Sequence, residues 1–386
     1  MLYSRIPYPL IGGDRIRIYN TAKTLSANYG VDLLFINEGE VRQDYIEKLK
    51  EVFSEVTFFS YSSLRPKWNA LRGLFLREPL QVHYYYFKEI KTWIDKNCRK
   101  YDLIFAHHIR MAEYLRDVAL PRVIDLHDAI SMTYRKARNN ARGLWKAIYS
   151  VENRRILPYE VRTVNEFDRS FIVSDVDRDY LVRHGANPQK IVTIPVAVKE
   201  EAISTSYPVE EKDRVAFLGK MDYPPNQDAA IYFAKKVFPL LRKKAPQLEF
   251  IIIGALPPKR VLELQKIPGV TVTKFVEDPY KYVAASKVFV APMRFGAGTQ
   301  NKILEAMALR KPVVTTSLGA NGVKGEDGKH FLVADEPEEM AERILNLLDD
   351  SGKREDIGYE ARDLVEREYT WSRVGEQFLR EIEQLA

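Results

Sequence analysis

The sequence of 386 residues predicts an α/β protein made of two doubly wound domains in tandem, and three observations carry that prediction. Short apolar runs alternate with segments of helical period along nearly the whole chain, the pattern of βα units laid on a parallel sheet. A polar passage at 199–213 interrupts the alternation once, near the middle. Several runs beyond it are continuously apolar, as strands covered on both faces require. The boundaries that follow are a first domain over 1–198, a linker over 199–213, a second domain over 214–370 and a last helix over 371–386.

In the first domain, strands are expected at 31–36, 56–60, 103–108, 122–128, 170–173 and 191–196, with helices at 15–28, 41–53, 82–97, 111–118, 152–167 and 177–184. A strand should also precede Pro7, where only six residues are available: either the edge is very short or the given start lies downstream of the full one. In the second domain, strands are expected at 215–218, 248–254, 270–275, 288–292, 312–316 and 331–334, and helices at 227–242, 259–266, 280–285, 301–309 and 337–348. Ligands of such sheets sit at the carboxyl ends of the strands.

Apolar residues make up 46% and charged residues 29%, the balance of a folded chain rather than a disordered one. The net charge of +6 is unevenly spread: 65–77 and 134–155 are rich in Lys and Arg, interleaved with Trp68, Phe75, Trp145 and Tyr149. A solvated face, a nucleic-acid surface and a patch for anionic lipid compete for these segments. No helix-turn-helix, zinc-finger or RNA-binding aromatic signature accompanies the charge, so no nucleic-acid partner is expected. Cys98 is the only cysteine, which excludes an intrachain disulfide and a cysteine zinc site and fits a reducing compartment. The start has no apolar core of signal-peptide length, and no window approaches about 18 uninterrupted apolar residues. A cytoplasmic protein is expected, free or held at the inner membrane face.

The most informative stretch is Phe295-Gly-Ala-Gly-Thr-Gln-Asn-Lys-Ile-Leu-Glu305-Ala-Met-Ala308, which leads from an apolar strand through a glycine loop into a helix whose first turn carries no acid. Glycines let the backbone approach a ligand, and free amides at a helix start favour an anion. Lys302 and Glu305 share one helix face, placing a cation near phosphates and a carboxylate near hydroxyls. A nucleotide sugar suits that combination; the plainer reading is a tight βα turn with an exposed Lys-Glu pair. Neither a P-loop nor a dinucleotide-binding Gly-x-Gly-x-x-Gly opening a first βαβ unit is present.

Phe217-Leu-Gly-Lys-Met-Asp-Tyr-Pro-Pro-Asn-Gln-Asp228, the Gly254-Ala-Leu-Pro257 turn, Val270-Thr-Val-Thr-Lys-Phe-Val-Glu-Asp278, the 295–308 element, Lys311-Pro-Val-Val-Thr-Thr-Ser317 and Tyr369-Thr-Trp371 together resemble the donor domain of retaining GT-B glycosyltransferases of family 4. Upstream, Ile6-Pro-Tyr-Pro-Leu-Ile-Gly-Gly-Asp-Arg15, Val123-Ile-Asp-Leu-His-Asp128 and Phe171-Ile-Val-Ser174 resemble acceptor-domain elements of the same family. The pattern is nearest to a subgroup that works on polysaccharides and other cell-surface glycans.

The resemblance implies two Rossmann-like domains facing a cleft, a last helix that crosses back to the first domain, no metal and no cofactor beyond a nucleotide-sugar co-substrate whose base (UDP, GDP or dTDP) stays open. It implies that Glu305 binds ribose hydroxyls and that Gly298, Thr299 and Gln300 hold the diphosphate, with Asn301, Lys302 and Val276 in the same donor site. It places Lys220 where the family usually has a phosphate-binding Arg, Gly12 and Gly13 on the opposite wall, and His127 beside the reacting centre. His127, Lys220 and Glu305 are thus the catalytic candidates; Arg15, Arg110, Asp125 and Asp128 are candidates on the acceptor side. Two departures stand out: Ala297 replaces a Glu that many members place on the transferred sugar, and Pro225, followed by Asn226, replaces a Lys. Lys302 is expected to supply the missing charge.

His127 could instead simply cap its strand. His107 and His108 invite a metal reading, but adjacent residues of an extended strand point to opposite faces and make poor joint ligands. Asp175-Val-Asp177 is similar to the metal-binding Asp-x-Asp of unrelated transferases, yet it follows Ser174 into a helix, where capping is expected. Asp125 and Asp128 are the only nearby carboxylates for a double displacement; the family resemblance implies attack from the face of departure instead. The expected function is transfer of a sugar to a glycan or lipid-linked acceptor. The alternatives are a nucleotide-sugar 2-epimerase of similar fold and a non-catalytic sugar-nucleotide-binding subunit.

Overall fold

The computed structural model describes every residue except 11, 133, 136–142, 297 and 386, together with the side chains of all the rest but 144–147. The chain divides into two units: Met1–Val196 with Val374–Ala386, and Ala197–Arg373.

The first unit is a seven-stranded parallel sheet in the order β3-β2-β1-β4-β5-β6-β7. Its strands are β1 Leu2–Tyr3, β2 Leu33–Glu38, β3 Val56–Tyr61, β4 Ile104–His107, β5 Arg122–His127, β6 Arg169–Ile172 and β7 Ile191–Thr193. The strand before Pro7 has only two residues, but it is central rather than an edge: Leu2 pairs with both Leu34 and Ala106. Burial on both sides explains the continuous apolar runs, with Leu33 to Ile36 and Ile104 to Ala106 all buried. One face packs on Ile90, Ile94, Met111, Ile156 and Phe167. On the other, Phe378 of the last helix, Trp371–Glu383, meets Phe171 edge-on at 5.0 Å and Phe105 at 6.3 Å.

The second unit is a six-stranded parallel sheet in the order β10-β9-β8-β11-β12-β13. These strands are β8 Lys212–Leu218, β9 Glu249–Ile253, β10 Val270–Val272, β11 Ser286–Ala291, β12 Val313–Thr315 and β13 Leu332–Val333. Phe233, Phe238 and Phe250 form its aromatic core, with ring centroids 4.5 to 6.5 Å apart.

Several helices differ from expectation for local reasons. The span 82–97 is broken into Leu80–Tyr84 and Lys88–Asn97, because Phe87 adopts extended backbone between them. The span 111–118 is a 3-10 turn, Ile109–Tyr114. In 227–242, a π turn at Phe233–Val237 comes just before Pro239, whose missing N–H cannot continue the α ladder. The passage 199–213 contains a short helix, Glu200–Ser204. Helices Leu64–Gly73 and Ser351–Glu368 add to those expected.

Candidate functional site

In each sheet the strand order reverses once, and side chains gather at the carboxyl ends of the strands flanking the reversal. In the second unit those strands are β8 and β11. The turn after β8 is tightly built: a Cβ on Gly254 would lie 1.9 Å from the carbonyl oxygen of Gly219, so the loops after β8 and β9 touch backbone to backbone. Asn226, buried, donates from Nδ2 to the Lys220 carbonyl at 2.9 Å and clamps the same turn. The Lys220 side chain is exposed and lies on Asp222, 2.9 Å away.

After β11 the chain passes Gly298, with φ of 70°, into the helix Asn301–Ala308. Gln300 stands at its N-cap without capping it by a side-chain hydrogen bond, and no acid occupies its first turn. Among the described residues, the amides of Gly298, Thr299 and Gln300 meet no acceptor. Thr299 ties the loop down through its hydroxyl, which donates to the Gly322 carbonyl at 3.2 Å. Lys302 Nζ donates to Gln300 Oε1 at 3.0 Å and lies 5.8 Å from the Phe217 ring. Burial lowers its pKa to about 8, against the pull of Glu305. Burial pushes the Glu305 carboxyl up, partly offset by Lys199, the Tyr280 hydroxyl and Lys302. Asn301 is exposed at the helix start and Val276 is half-buried beyond β10. A doubly charged anion would satisfy the free amides and Lys302 together.

In the first unit, β1 and β4 flank the reversal. The helix Gly13–Leu25 starts after Gly12, with Asp14 in its first turn. Asp14 accepts from the Tyr3 hydroxyl at 2.6 Å and from Arg5 at 2.5 Å, and lies 3.5 Å from His108 Nε2. Burial alone would raise its pKa, but His108, Tyr3 and Arg5 hold it well below the usual carboxylate range. One turn on, the buried Arg17 binds Asp125 at 2.6 Å and donates to the carbonyls of Ile194 and Pro195 at 3.0 and 2.8 Å. His107 Nδ1 lies 3.2 Å from Asp125. Burial keeps the imidazoles of His107 and His108 below their ordinary pKa.

His108 and His127 are non-glycine residues with φ of 72° and 68°. That conformation costs roughly 1–2 kcal/mol per residue and is held by the network around it. It also corrects the expectation that His107 and His108 point to opposite faces. β4 ends at His107, strand alternation stops there, and the two rings lie 4.6 Å apart. The His127 ring is 5.8 Å from His108 and 6.2 Å from His107, with its Nδ1 buried and unpartnered. Among the described residues, no group of three or more His, Cys, Asp or Glu could hold a metal ion.

Asp125 is wholly enclosed by Arg17 and His107, which removes it from the acceptor-side candidates and from any double displacement. Asp128 stays partly exposed. Ser174 caps the helix Asp175–Arg183, and Asp177 accepts from the Ala129 amide at 3.3 Å, so the Asp-x-Asp is structural. Arg15 and Arg110 flank the site, bonded at 3.4 Å to the Pro9 carbonyl and the Ser4 hydroxyl. A cavity of about 260 Å³ nearby is lined by Arg5, Arg15, Glu38, Tyr61, Tyr85 and Phe87 among others. Sequence reasoning missed Asp14, Arg17 and Tyr280. Only the acid in a first helical turn next to two glycines hinted at the first. Ala297 and the 136–142 part of the second basic segment lie outside the described residues, as does the Trp145 side chain.

Residues 11–202 match the family model "Glycosyltransferase Family 4", and residues 212–350 match "Glycosyl transferases group 1". The chain is 22% identical to an uncharacterized 44.6 kDa protein in the cps region of Klebsiella pneumoniae, over 97% of each chain. It is 32% identical over 155 residues, 37% of this chain and 40% of the other, to the capsular polysaccharide biosynthesis glycosyltransferase CapM of Staphylococcus aureus. The crystal structure of Anabaena HepE in complex with UDP and glucose superposes with a TM-score of 0.69 at 17% identity, covering 100% of this chain and 98% of that one. The two parallel sheets are those of the GT-B fold, and the chain belongs to glycosyltransferase family 4, group 1.

Proposed function

We propose that this glycosyltransferase moves a hexose, with retention, from a nucleotide-diphosphate sugar to a glycan or lipid-linked acceptor in cell-surface polysaccharide synthesis, at the inner face of the membrane. The observation that carries the reading is the uncapped, acid-free helix start after Gly298, with Lys302 beside it and no carboxylate within ion-pair distance of that amine among the described residues. The UDP and glucose bound to HepE and the capsular role named for CapM support it.

In this reading the amides of Gly298, Thr299 and Gln300 and the Lys302 ammonium take the diphosphate, while Lys220 leaves Asp222 to reach the same phosphates. Glu305 accepts from the ribose hydroxyls. In the first unit His127, held in its strained backbone, is the candidate for the reacting centre, and Gly12 and Gly13 are the candidates there for the diphosphate. The acceptor hydroxyl attacks from the face of departure as the leaving diphosphate takes its proton. Fixed donors support the developing charge on that diphosphate, which is electrostatic stabilisation without a metal step. Arg15, Arg110 and Asp128 face the acceptor.

Thermal unfolding with UDP-, GDP- and dTDP-sugars tests this. A ligand at a hundred times its Kd stabilises by about 2.7 kcal/mol. One base should raise the melting temperature, and release of that nucleotide should require an acceptor. No stabilisation by any of them would remove the reading.

A further inference from the structure

The helix Leu64–Gly73 is amphipathic the wrong way round for a folded protein. Its buried residues are Pro66 and Gly73, with Asn69 between them donating to the Tyr86 carbonyl at 2.9 Å. Those positions share one face. Leu64, Trp68 and Leu71, one helical stripe on the opposite face, are 63%, 63% and 51% exposed, and Phe75, which continues the stripe past the helix end, is 89% exposed. Leu74 and Leu76 beside it are exposed as well.

The segment is not loose. Arg155 donates to the carbonyls of Gly73 and Leu74 at 2.9 and 2.8 Å, Arg65 pairs with Glu89 at 2.5 Å, and a Cβ on Gly73 would strike the His83 ring. The fold therefore holds six large apolar side chains out in solvent on a fixed support, where water opposes them.

Charge selects the occupant. From Leu64 to Arg77 the sequence has four basic residues and no acid. Lys67, Arg72 and Arg77 are exposed and pair with no carboxylate among the described residues; Lys67 and Arg72 flank the apolar stripe on either side. An apolar ridge edged by free cations fits the interface of an anionic bilayer, where acyl chains take the ridge and head groups the cations. Among the described residues no helix is long and apolar enough to cross a membrane, so this surface would act by lying on it.

We propose that residues 64–77 form a docking surface for anionic lipid, whatever sugar and acceptor the enzyme uses. The test is co-sedimentation of the full chain with vesicles of phosphatidylcholine alone or mixed with phosphatidylglycerol, at low and high salt. Binding is expected only with phosphatidylglycerol and is expected to fall at high salt. Trp68→Ser with Phe75→Ser should weaken it at least tenfold. Lys67→Gln, Arg72→Gln and Arg77→Gln should each weaken it about fivefold, the worth of one basic residue near such a surface. Trp68 fluorescence should shift to the blue on vesicles, a shift absent in Trp68→Phe.

Stabilisation by nucleotide should be the same in all these variants, which shows that they fold and separates this proposal from the transferase reading. Equal binding to both vesicles, or binding unchanged in Trp68→Ser with Phe75→Ser, would overturn it. So would a wild-type dimer that the same double variant dissolves, since a second copy would then cover the ridge.

Discussion

The two strand-order reversals treat charge in opposite ways. In the first unit the two enclosed carboxylates are satisfied: Asp14 and Asp125 sit well below the ordinary carboxylate range because Tyr3, Arg5, His108, Arg17 and His107 surround them. In the second unit burial outweighs the partners: the Lys302 amine is pushed down despite Glu305, and the Glu305 carboxyl is pushed up despite Lys199, Tyr280 and Lys302. The first region uses its ion pairs for its own shape, while the second keeps amides without acceptors beside Lys302, which on the proposed reading await a ligand. Substitutions in the two should therefore fail differently.

The largest effect is expected at Asp125. Asp125→Asn leaves Arg17 and its neighbours without their anion, and breaking such a buried pair costs about 3–5 kcal/mol. Denaturant unfolding should show that loss, while nucleotide affinity of the folded protein stays unchanged. Glu305→Ala should do the reverse. On the proposed reading Glu305 is bonded to ribose, and removing such a carboxylate costs about 1.5–3 kcal/mol, tenfold to more than a hundredfold in donor use, with stability kept or raised. Unfolding of Glu305→Ala at much lower denaturant would break the comparison.

At His127 a smaller change is expected. His127→Asn keeps a residue that tolerates positive φ, so the melting temperature should hardly move while kcat falls by about fivefold, one hydrogen bond's worth. The pH response sharpens the contrast further. Lys302 has a folded pKa of about 8 against an ordinary 10.5, so above pH 8 the unfolded chain binds the extra proton. Its contribution to ligand-free stability therefore rises with pH across that window. The depressed carboxylates of the first unit act at the other end: their stability is present above their ordinary 3.8 and is lost as pH falls below it. Ligand-free unfolding followed against pH should show the alkaline rise in the wild type and not in Lys302→Met.

The second unit is the more legible from sequence because its candidate site is local. A strand, two glycines, an acid-free helix start, Lys302 and Glu305 lie within one stretch, and each has a meaning at fixed spacing. The parallel sheets are legible for the same reason, through runs such as Phe250 to Ile253 that only a doubly covered strand tolerates. The first unit's site is assembled from partners up to 178 residues apart, as in the contact of Arg17 with Pro195. No spacing rule announces that contact. The ring pair His107–His108 escapes the sequence because alternation, carried one residue past the strand, turns the second ring the wrong way. Helix Leu64–Gly73 escapes it because its apolar stripe faces outward and Pro66 reads as a breaker, although proline is tolerated in a first helical turn.

The proposed donor site requires a diphosphate at the helix start after Gly298. Calorimetric titration of UDP and uridine, or of whichever nucleotide and nucleoside the thermal screen selects, into wild type and Lys302→Met measures this directly. The nucleotide should bind the wild type at least a hundredfold more tightly than the nucleoside, about 2.7 kcal/mol at 25 °C, with most of that margin gone in Lys302→Met. Equal affinity for the two in the wild type would contradict it.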